Sequence, residues 1–361
     1  MVSGQTSKPG PARGGRSRAC LLTGLIPRRA RPLDPTTSGT AIMPGRPDDG
    51  QRAGVAPYLY LFITMALFGV AFTTSKVVVG QLPHDVAAAL RFGGGAVILV
   101  LVLCLRPGST AFSWRDLTRA GLVGLIGVFA YNFFFFWGLS LAPAIDGSII
   151  VPVLSPVLTT LVFLVTGREA ASAVRVVGLA LGITGAVVFF VGIGGTGNGL
   201  TGSRLVGDLI YLFAAGCWAA YSIASKQVLR GLEPLRATTY ATGIGALALM
   251  LVAIPSVPHT DWSSVRVTTW ANVVFLAIGP TAVAYLFYYR GLRSVSPVTA
   301  TISMFAVPVF GTISSILFLG ESFTVIQAIG ALITLVGALL AVAQGRLSGA
   351  RRVLVGEETS S

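Results

Sequence analysis

The side chains best placed for chemistry in this sequence are polar residues embedded in long apolar stretches. Arg91 lies about six residues inside one such stretch, roughly 9 Å along a helix that rises 1.5 Å per residue. A guanidinium there needs a partner, because lipid offers no hydrogen bonds. It could reach the nearer membrane interface and pair with Asp85 or Asp146, or it could face a substrate or a gate. The sequence leaves both interpretations open.

Other polar and aromatic residues recur at helical spacing within these stretches. Hydroxyls in such positions either hold helices together or line a cavity, and prolines free backbone carbonyls near them. Aromatic residues near the ends of a stretch are typical of the interfacial belt, whereas Asn132 and Trp218 lie deeper. The candidates for substrate binding or for a cavity wall are Arg91, Tyr131, Asn132, Ser148, Ser155, Trp218, Ser222, Tyr285, Thr301 and Thr312, and the candidate helix breaks are Pro156 and Pro308.

Residues that support catalysis or metal binding do not cluster. The two histidines, His84 and His259, and the three cysteines are widely scattered. An intramembrane enzyme needs a Ser/His, paired Asp or metal arrangement, and no apolar stretch carries a second His or an Asp pair. No G-x-x-x-x-G-K-[ST] loop occurs to cradle ATP. We therefore expect no enzymatic activity, no metal and no cofactor, and transport that is secondary or passive.

The composition indicates a protein dissolved in lipid. Of the 361 residues, 53% are hydrophobic and only 11% are charged, less than half of the roughly 25% typical of soluble domains. The net charge of +13 would suggest nucleic acid in a soluble protein. Here the basic residues occupy short loops and the chain ends, which indicates orientation signals instead. The expected partners are the bilayer and a small-molecule substrate, not nucleic acid, and the oligomeric state stays open.

Ten apolar stretches are long enough to cross a bilayer as helices. Residues 1–56 precede them and are rich in Gly, Pro, Ser and Arg, which predicts a disordered basic arm. Two interpretations stay open: the arm has no function of its own, or it tethers the chain to anionic lipid. Met43 is an alternative start of the chain. The predicted spans are 57–79, 86–105, 120–141, 146–166, 174–193, 208–226, 236–255, 268–289, 297–318 and 325–344, followed by a cytoplasmic tail at 345–361.

Loop charges alternate along this arrangement. With the N-terminus inside, the inside loops and the C-terminal tail hold thirteen Lys and Arg residues, whereas the outside holds Arg204, Arg266 and the flanking Lys76. Positively charged loops stay in the cytoplasm. The count predicts a multi-pass protein of the cell (inner) membrane with both termini cytoplasmic.

The two halves of the chain repeat each other. Phe68 and Lys76 match Trp218 and Lys226 at an offset of 150 residues. Five helices per repeat is an odd number, so the second repeat enters the membrane upside down. Inverted repeats are typical of secondary transporters that alternate access about a central site. Further matches at offsets of 150 or 152 are Gly93 and Gly95 with Gly243 and Gly245, Pro156 with Pro308, Glu169 with Glu321, and Gly178 and Gly185 with Gly330 and Gly337.

This ordered set resembles the EamA family of the drug/metabolite transporter superfamily over about residues 57–344. The second helix of the second repeat departs from the pattern, since Ala241 or Thr242 stands where Arg91 stands in the first. The matching residues are Phe68, Lys76, Pro83, Arg91, Pro156, Glu169, Gly178 and Gly185 in the first repeat, and Trp218, Lys226, Pro234, Pro308, Glu321, Gly330 and Gly337 in the second.

The resemblance implies ten helices and the export or uptake of small metabolites. We expect an all-α membrane protein with two inverted five-helix repeats, 57–193 and 208–344. No Asp or Glu is predicted deep within a span, which favours a neutral, zwitterionic or anionic solute such as an amino acid. The alternatives are a non-transporting receptor or scaffold and an exporter of cationic drugs, because aromatic faces also hold cations.

Overall fold

The computed structural model describes residues 55–106, 113–167, 172–193, 202–228, 231–292 and 303–340. Those residues form ten main helices, seven of them long and apolar enough to cross a membrane and three shorter. The predicted all-helical membrane fold is thereby confirmed. The helices are α1 Val55–Val79, α2 His84–Leu105, α3 Trp114–Leu141, α4 Ala144–Val165, α5 Ala173–Ile193, α6 Gly202–Val228, α7 Pro234–Ala253, α8 Val267–Leu276 continued by Ala277–Val283 and Ala284–Leu292, α9 Val307–Leu319 and α10 Val325–Leu340.

Two helices begin earlier than the sequence predicted. Helix α3 starts at Trp114, where the hydroxyl of Ser113 accepts a hydrogen bond of 3.3 Å from the backbone N–H of Asp116 and caps the first turn. Helix α6 starts at Gly202, so Arg204 belongs to its first turn and not to a loop. Some of the predicted features lie outside the described residues. These are nearly all of the arm at 1–56, the tail at 345–361, and the residues Glu169 and Thr301.

The helices of the two repeats pack with a common pattern. Helix α1 packs against α8 and α9, and its repeat mate α6 packs against α3 and α4. Helix α2 contacts α7 and α8, and its mate α7 contacts α2 and α3. Helix α4 meets its mate α9, while α5 meets α10 where Gly185 faces Gly330 and Thr334. Each of these contacts has a counterpart in the other repeat, as two inverted repeats related by a pseudo-two-fold axis require.

The outside of this bundle is apolar. Leu105, Val165 and Phe318 are more than 70% exposed at helix positions that face away from the neighbouring helices. A soluble protein rarely shows so continuous an apolar exterior, and lipid tails cover it in a membrane. The polar residues instead gather inside the bundle, where they can act on a bound molecule.

Helices α3 and α8 each contain a π-helical turn at matching places in the repeats. The turns span Leu125–Ala130 and Ala277–Val283, and the second contains Pro280. A π turn inserts an extra residue, shifts the faces of the helix on either side of it and often marks a functional site. Tyr131 and Asn132 follow the first turn directly, and Tyr285 follows the second by one residue.

Candidate substrate-binding site

A cavity of about 70 Å³ lies between the two repeats. Five of the residues predicted for the cavity wall line it, and the remaining wall is mostly aromatic and aliphatic. Its volume holds several water molecules, at roughly 10–15 Å³ each on the same measure. The lining residues are Phe68, Ala71, Phe72, Arg91, Phe92, Tyr131, Asn132, Phe135, Val151, Pro152, Trp218, Tyr285, Met304 and Val307.

Arg91 supplies the charge of the cavity. Its side chain is 8% exposed, and its guanidinium lies 4.8 Å from the ring centre of Phe92 and 5.8 Å from that of Phe136. Two long hydrogen bonds hold it, from Nε to Thr281 Oγ1 at 3.5 Å and from Nη1 to Ser75 Oγ at 3.4 Å. The guanidinium therefore stays inside the bundle and does not extend to the membrane interface.

The two carboxylates considered as partners of Arg91 are engaged elsewhere. Asp85 accepts hydrogen bonds from the hydroxyl of Ser256 and from the N–H of Val86, and Asp146 forms a salt bridge with Arg204. None of the carboxylates that the structure describes forms a salt bridge with Arg91. The positive charge at the cavity wall is balanced only by aromatic rings and hydroxyls.

The aromatic walls of the cavity form two matching pairs. Trp218 on α6 lies with its ring centre 4.9 Å from that of Tyr131 on α3. Phe68, the repeat mate of Trp218, lies 5.7 Å from Tyr285 on α8 in an edge-to-face contact. The π turns of α3 and α8 set the direction of the two tyrosines, and both hydroxyls are within electrostatic reach of Arg91. The cavity thus combines one cation with an aromatic surface from both repeats.

Asn132 is held by its own helix. Its Nδ2 donates to the carbonyl oxygen of Val128 at 2.8 Å, within the π turn. The side chain is only 3% exposed and borders the cavity next to Tyr131. An anchored amide here can recognise a polar group of a ligand with little loss of side-chain freedom.

The other predicted site residues lie away from this cavity. Ser148 and Ser155 are buried and donate to the carbonyls of Ile145 and Val151 in their own helix, and the hydroxyl of Ser155 also lies 3.2 Å from the carbonyl oxygen of Ala215 on α6. Ser222 is half-buried on α6 and does not belong to the wall. Thr312 lines a separate apolar groove formed by α4, α9 and α10.

The two prolines predicted to break helices differ from each other. Helix α4 continues through Pro152 and Pro156 to Val165 without interruption. Pro308 lies in the first turn of α9, where a proline needs no N–H partner. Pro152 lines the cavity, whereas Pro156 does not.

A group of charged residues that the sequence analysis did not bring together meets where α1 ends and α4 and α6 begin. We refer to Lys76, Asp146, Arg204, Asp208 and Glu321 as the polar end cluster. Arg204 binds Asp146 through Nε at 2.9 Å and Nη2 at 2.8 Å, and both side chains are buried. Asp146 lies in the first turn of α4 as expected, whereas the earlier start of α6 places Asp208 inside that helix, and both are 0% exposed. Only the unexpected burial of Arg204 in α6 makes this arrangement possible.

Glu321 and Lys76 lie at the same end of the bundle and form hydrogen bonds with backbone groups there. The two carboxylate oxygens of Glu321, between α9 and α10, accept from the N–H groups of Ala144 and Ile145 at 2.8 Å each and so cap α4. Burial raises the pKa of Glu321 above its usual range, against the opposing effect of these two N–H groups and of Lys76. Lys76 Nζ donates to the carbonyls of Leu139 and Ala142. The cluster joins both repeats.

The fold and cavity define a polytopic transport protein with two inverted five-helix repeats. The model of the EamA-like transporter family matches residues 55–191 and 205–343, one match for each repeat. The chain belongs to the EamA-like transporter family and is a membrane transporter, not an enzyme.

Curated relatives extend over most of the chain. A Bacillus subtilis protein named "Uncharacterized transporter YyaM" is 27% identical over 285 residues, covering 79% of this chain and 92% of the relative. The Ancylobacter novellus "Aromatic amino acid exporter YddG" is 29% identical over 248 residues, covering 67% and 81%. A solved crystal structure superposes with a TM-score of 0.56 at 23% identity, covering 80% of this chain and 97% of that one, which supports the fold.

Proposed function

We propose that this transporter moves a small, carboxylate-bearing metabolite of the amino-acid type by alternating access between its two repeats. The observation that carries the proposal is the buried guanidinium of Arg91 at the wall of the central cavity. Among the described residues it has hydroxyl and aromatic neighbours but no carboxylate partner. An uncompensated charge inside a membrane protein is costly, and a bound carboxylate would compensate it.

The rest of the cavity suits the other parts of such a solute. Phe68, Tyr131, Trp218 and Tyr285 offer apolar surface to a side chain, and their ring faces attract an ammonium group. No Asp or Glu is among the lining residues, so a strongly cationic drug would face Arg91 without a counter-charge. That arrangement favours a zwitterion or an anion.

The names of two relatives support an amino acid as the class of substrate. The relative named an aromatic amino acid exporter has about the same identity to this chain as the relatives without an assigned substrate. A Streptantibioticus cattleyicolor relative, 27% identical over 226 residues, is named "Probable terminal-alkyne amino-acid exporter". Both names describe solutes that combine a carboxylate with an apolar side chain, which is the combination that the cavity wall suits.

The cavity must enlarge for transport. Its volume of about 70 Å³ is well below the roughly 300 Å³ at which ligand pockets usually begin. The polar end cluster closes one end of the bundle by joining α1, α4, α6 and the segment before α10. We therefore assign this conformation to a closed step of the cycle, and transport requires the repeats to part at one end and then at the other.

The test is uptake of labelled amino acids into vesicles that contain the purified chain. Arg91→Ala should reduce the flux roughly 10- to 100-fold, the equivalent of a hydrogen bond to a charged group at about 1.5–3 kcal/mol. Arg91→Lys should keep partial flux. Arg106→Ala is the matched control, because Arg106 ends the same helix and pairs with Glu233 at an exposed site. Normal flux in Arg91→Ala, or transport of a quaternary ammonium compound by the wild type, would refute the charge argument.

We further propose that both termini face the cytoplasm, with the polar end cluster on the opposite side. The support is the excess of basic residues in the predicted inside loops. Because Arg204 is the buried partner of an ion pair, it no longer counts among the outside loop charges. The excess of basic residues on the inside therefore becomes larger. Reporter fusions after residue 345 and near residue 196 should report opposite sides of the membrane, and a shared side would contradict the ten-span topology.

A further inference from the structure

The charges of the polar end cluster do not cancel. Lys76 and Arg204 provide two positive charges, whereas Asp146, Asp208 and Glu321 provide three negative charges when all are ionised. Lys76 and Glu321 are half-buried, Arg204 is 6% exposed, and both aspartates are 0% exposed. A net negative charge in such a position is costly. Binding of one proton would make the cluster neutral.

Asp208 is the member of the cluster without a stable partner. Both of its carboxylate oxygens are buried, and neither has a hydrogen-bond partner among the described residues. Asp208 nevertheless lies close enough to Asp146 for a carboxyl–carboxyl hydrogen bond. Two ionised carboxylates have no hydrogen to share, and a proton on either one creates the missing bond.

We propose that Asp208 and Asp146 together bind one proton while this end of the bundle is closed, and release it when the end opens. The inference rests on the proposed function, because it names the ion that the transporter couples to its conformational change. Arg204 holds Asp146 ionised through two contacts, so the proton resides on Asp208 and is donated toward Asp146. On binding, an O–H bond of a hydronium ion breaks and an O–H bond on Asp208 forms; on release the proton returns to water, and no other reactant takes part.

The groups around the pair favour a proton over a metal cation. Arg204 already occupies one face of Asp146, and the amide Nε2 of Gln327 on α10 lies 3.4 Å from Asp146 Oδ1. Tyr211 donates its hydroxyl to the carbonyl of Pro143, and the ammonium of Lys76 and the carboxylate of Glu321 complete the charged surroundings. Within the described part of the chain, no three His, Cys, Asp or Glu residues are grouped to hold a metal ion.

The position of the pair couples the proton to opening. Asp146 belongs to the first repeat, whereas Arg204 and Asp208 belong to the second. When the repeats part at this end, Asp146 leaves Asp208 and Arg204, and water solvates each carboxylate. A solvated aspartic acid loses its proton at neutral pH. The closed end therefore retains a proton that the open end releases, so protonation favours closure.

The test is infrared spectroscopy of the full chain in lipid vesicles. The wild type at neutral pH should show the C=O band of a protonated carboxylic acid, shifted in heavy water and lost on titration to alkaline pH. Asp208→Asn, a neutral mimic of the protonated state, should lose this band. Asp85→Asn is the matched control, because Asp85 is buried near the same end but bonds to Ser256 and Val86 instead.

Each outcome decides the question without any transport measurement. Loss of the band in Asp208→Asn with its retention in Asp85→Asn supports the proposal. A wild type without the band, or a band unchanged in Asp208→Asn, overturns it. A band that disappears when sodium replaces choline at constant pH also overturns it, in favour of a cation site. If Asp208→Asn does not fold, the pH titration of the wild type still decides. A failure to find a transported amino acid would leave the infrared result unaffected.

Discussion

The crossing of α1 and α9 allows one substitution to be predicted in detail. A Cβ on Gly69 would lie 2.5 Å from Phe310 Cβ and 2.8 Å from both the N of Gly311 and the carbonyl oxygen of Val307. Ordinary contact begins at 3.4 Å, so Gly69→Ala must separate the two helices by about 0.9 Å to relieve the contact with Phe310 Cβ. The neighbouring residue Phe68 lines the cavity on α1, as Val307 does on α9. The substitution therefore changes both the packing and the site.

The energetic cost can be bounded. Overpacking of this kind costs about 1–3 kcal/mol, and alanine returns about 0.5–1 kcal/mol through its higher helix propensity. The same displacement stretches the contacts of Thr73 with Ser314 and Ser315, now 2.6 and 3.0 Å, each worth about 0.5–1.5 kcal/mol. We expect Gly69→Ala to lower the free energy of unfolding by about 1–3 kcal/mol and to reduce flux.

Unfolding by a denaturing detergent in mixed micelles, followed by tryptophan fluorescence, measures this change. Gly243→Ala is the control, because no atom lies within 4 Å of a Cβ at Gly243 in α7. That control should be neutral or slightly more stable than the wild type. Equal stability of Gly69→Ala and Gly243→Ala would refute the conclusion that α1 and α9 are in backbone contact at this point.

Three further changes test the polar end cluster and the arm. Glu321→Ala should lower the free energy of unfolding by about 1–3 kcal/mol, because two N–H groups lose their acceptor, and Glu321→Gln by less, in the same unfolding assay. Arg204→Ala should cost about 3–5 kcal/mol by leaving Asp146 buried and unpaired, and Asp146→Asn added to it should recover part of that loss. Deleting residues 1–42 should leave membrane insertion and vesicle flux intact; a loss of either would show that the arm takes part in transport.

The fold could be predicted from the sequence because lipid restricts the possible structures. A segment can satisfy its backbone groups within itself in a bilayer only as a helix, so long apolar stretches and alternating loop charges were sufficient to predict ten helices. The spacing of Phe68 and Trp218 then predicted the repeat, and the two residues take equivalent places at the cavity wall. The sequence analysis placed Arg204 in an outside loop, whereas it lies in the first turn of α6. The alternation of loop charges does not depend on this residue.

The missed features depend on contacts between distant parts of the chain. Arg204 and Asp146 lie 58 residues apart and neutralise each other, so α6 and α4 can each bury one charged side chain near the start of the helix. The π turn at Leu125–Ala130 contains no proline or other local marker, and only the matching turn in α8 contains Pro280. Hydroxyl candidates such as Ser155 were indistinguishable by spacing from Asn132. Both donate to a carbonyl of the preceding turn of their own helix. Asn132 borders the cavity beside the π turn, whereas Ser155 lies against the carbonyl oxygen of Ala215 on α6.

The repeats are alike in scaffold but unlike in charge, and transport needs both properties. Matching aromatic pairs and matching helix contacts in the two repeats are what the proposed alternating access requires, since the bundle must then open at either end. Arg91 has no counterpart, since Ala241 or Thr242 stands at the equivalent place in the second repeat. The cavity is therefore polar on one side, and the proposed solute, with a carboxylate at one end, would bind in a single orientation. Arg91 on α2 touches Thr281 on α8 across the repeats, so a ligand that draws the guanidinium away weakens a contact between them. Substrate binding and the rearrangement of the repeats are in this way joined at one side chain.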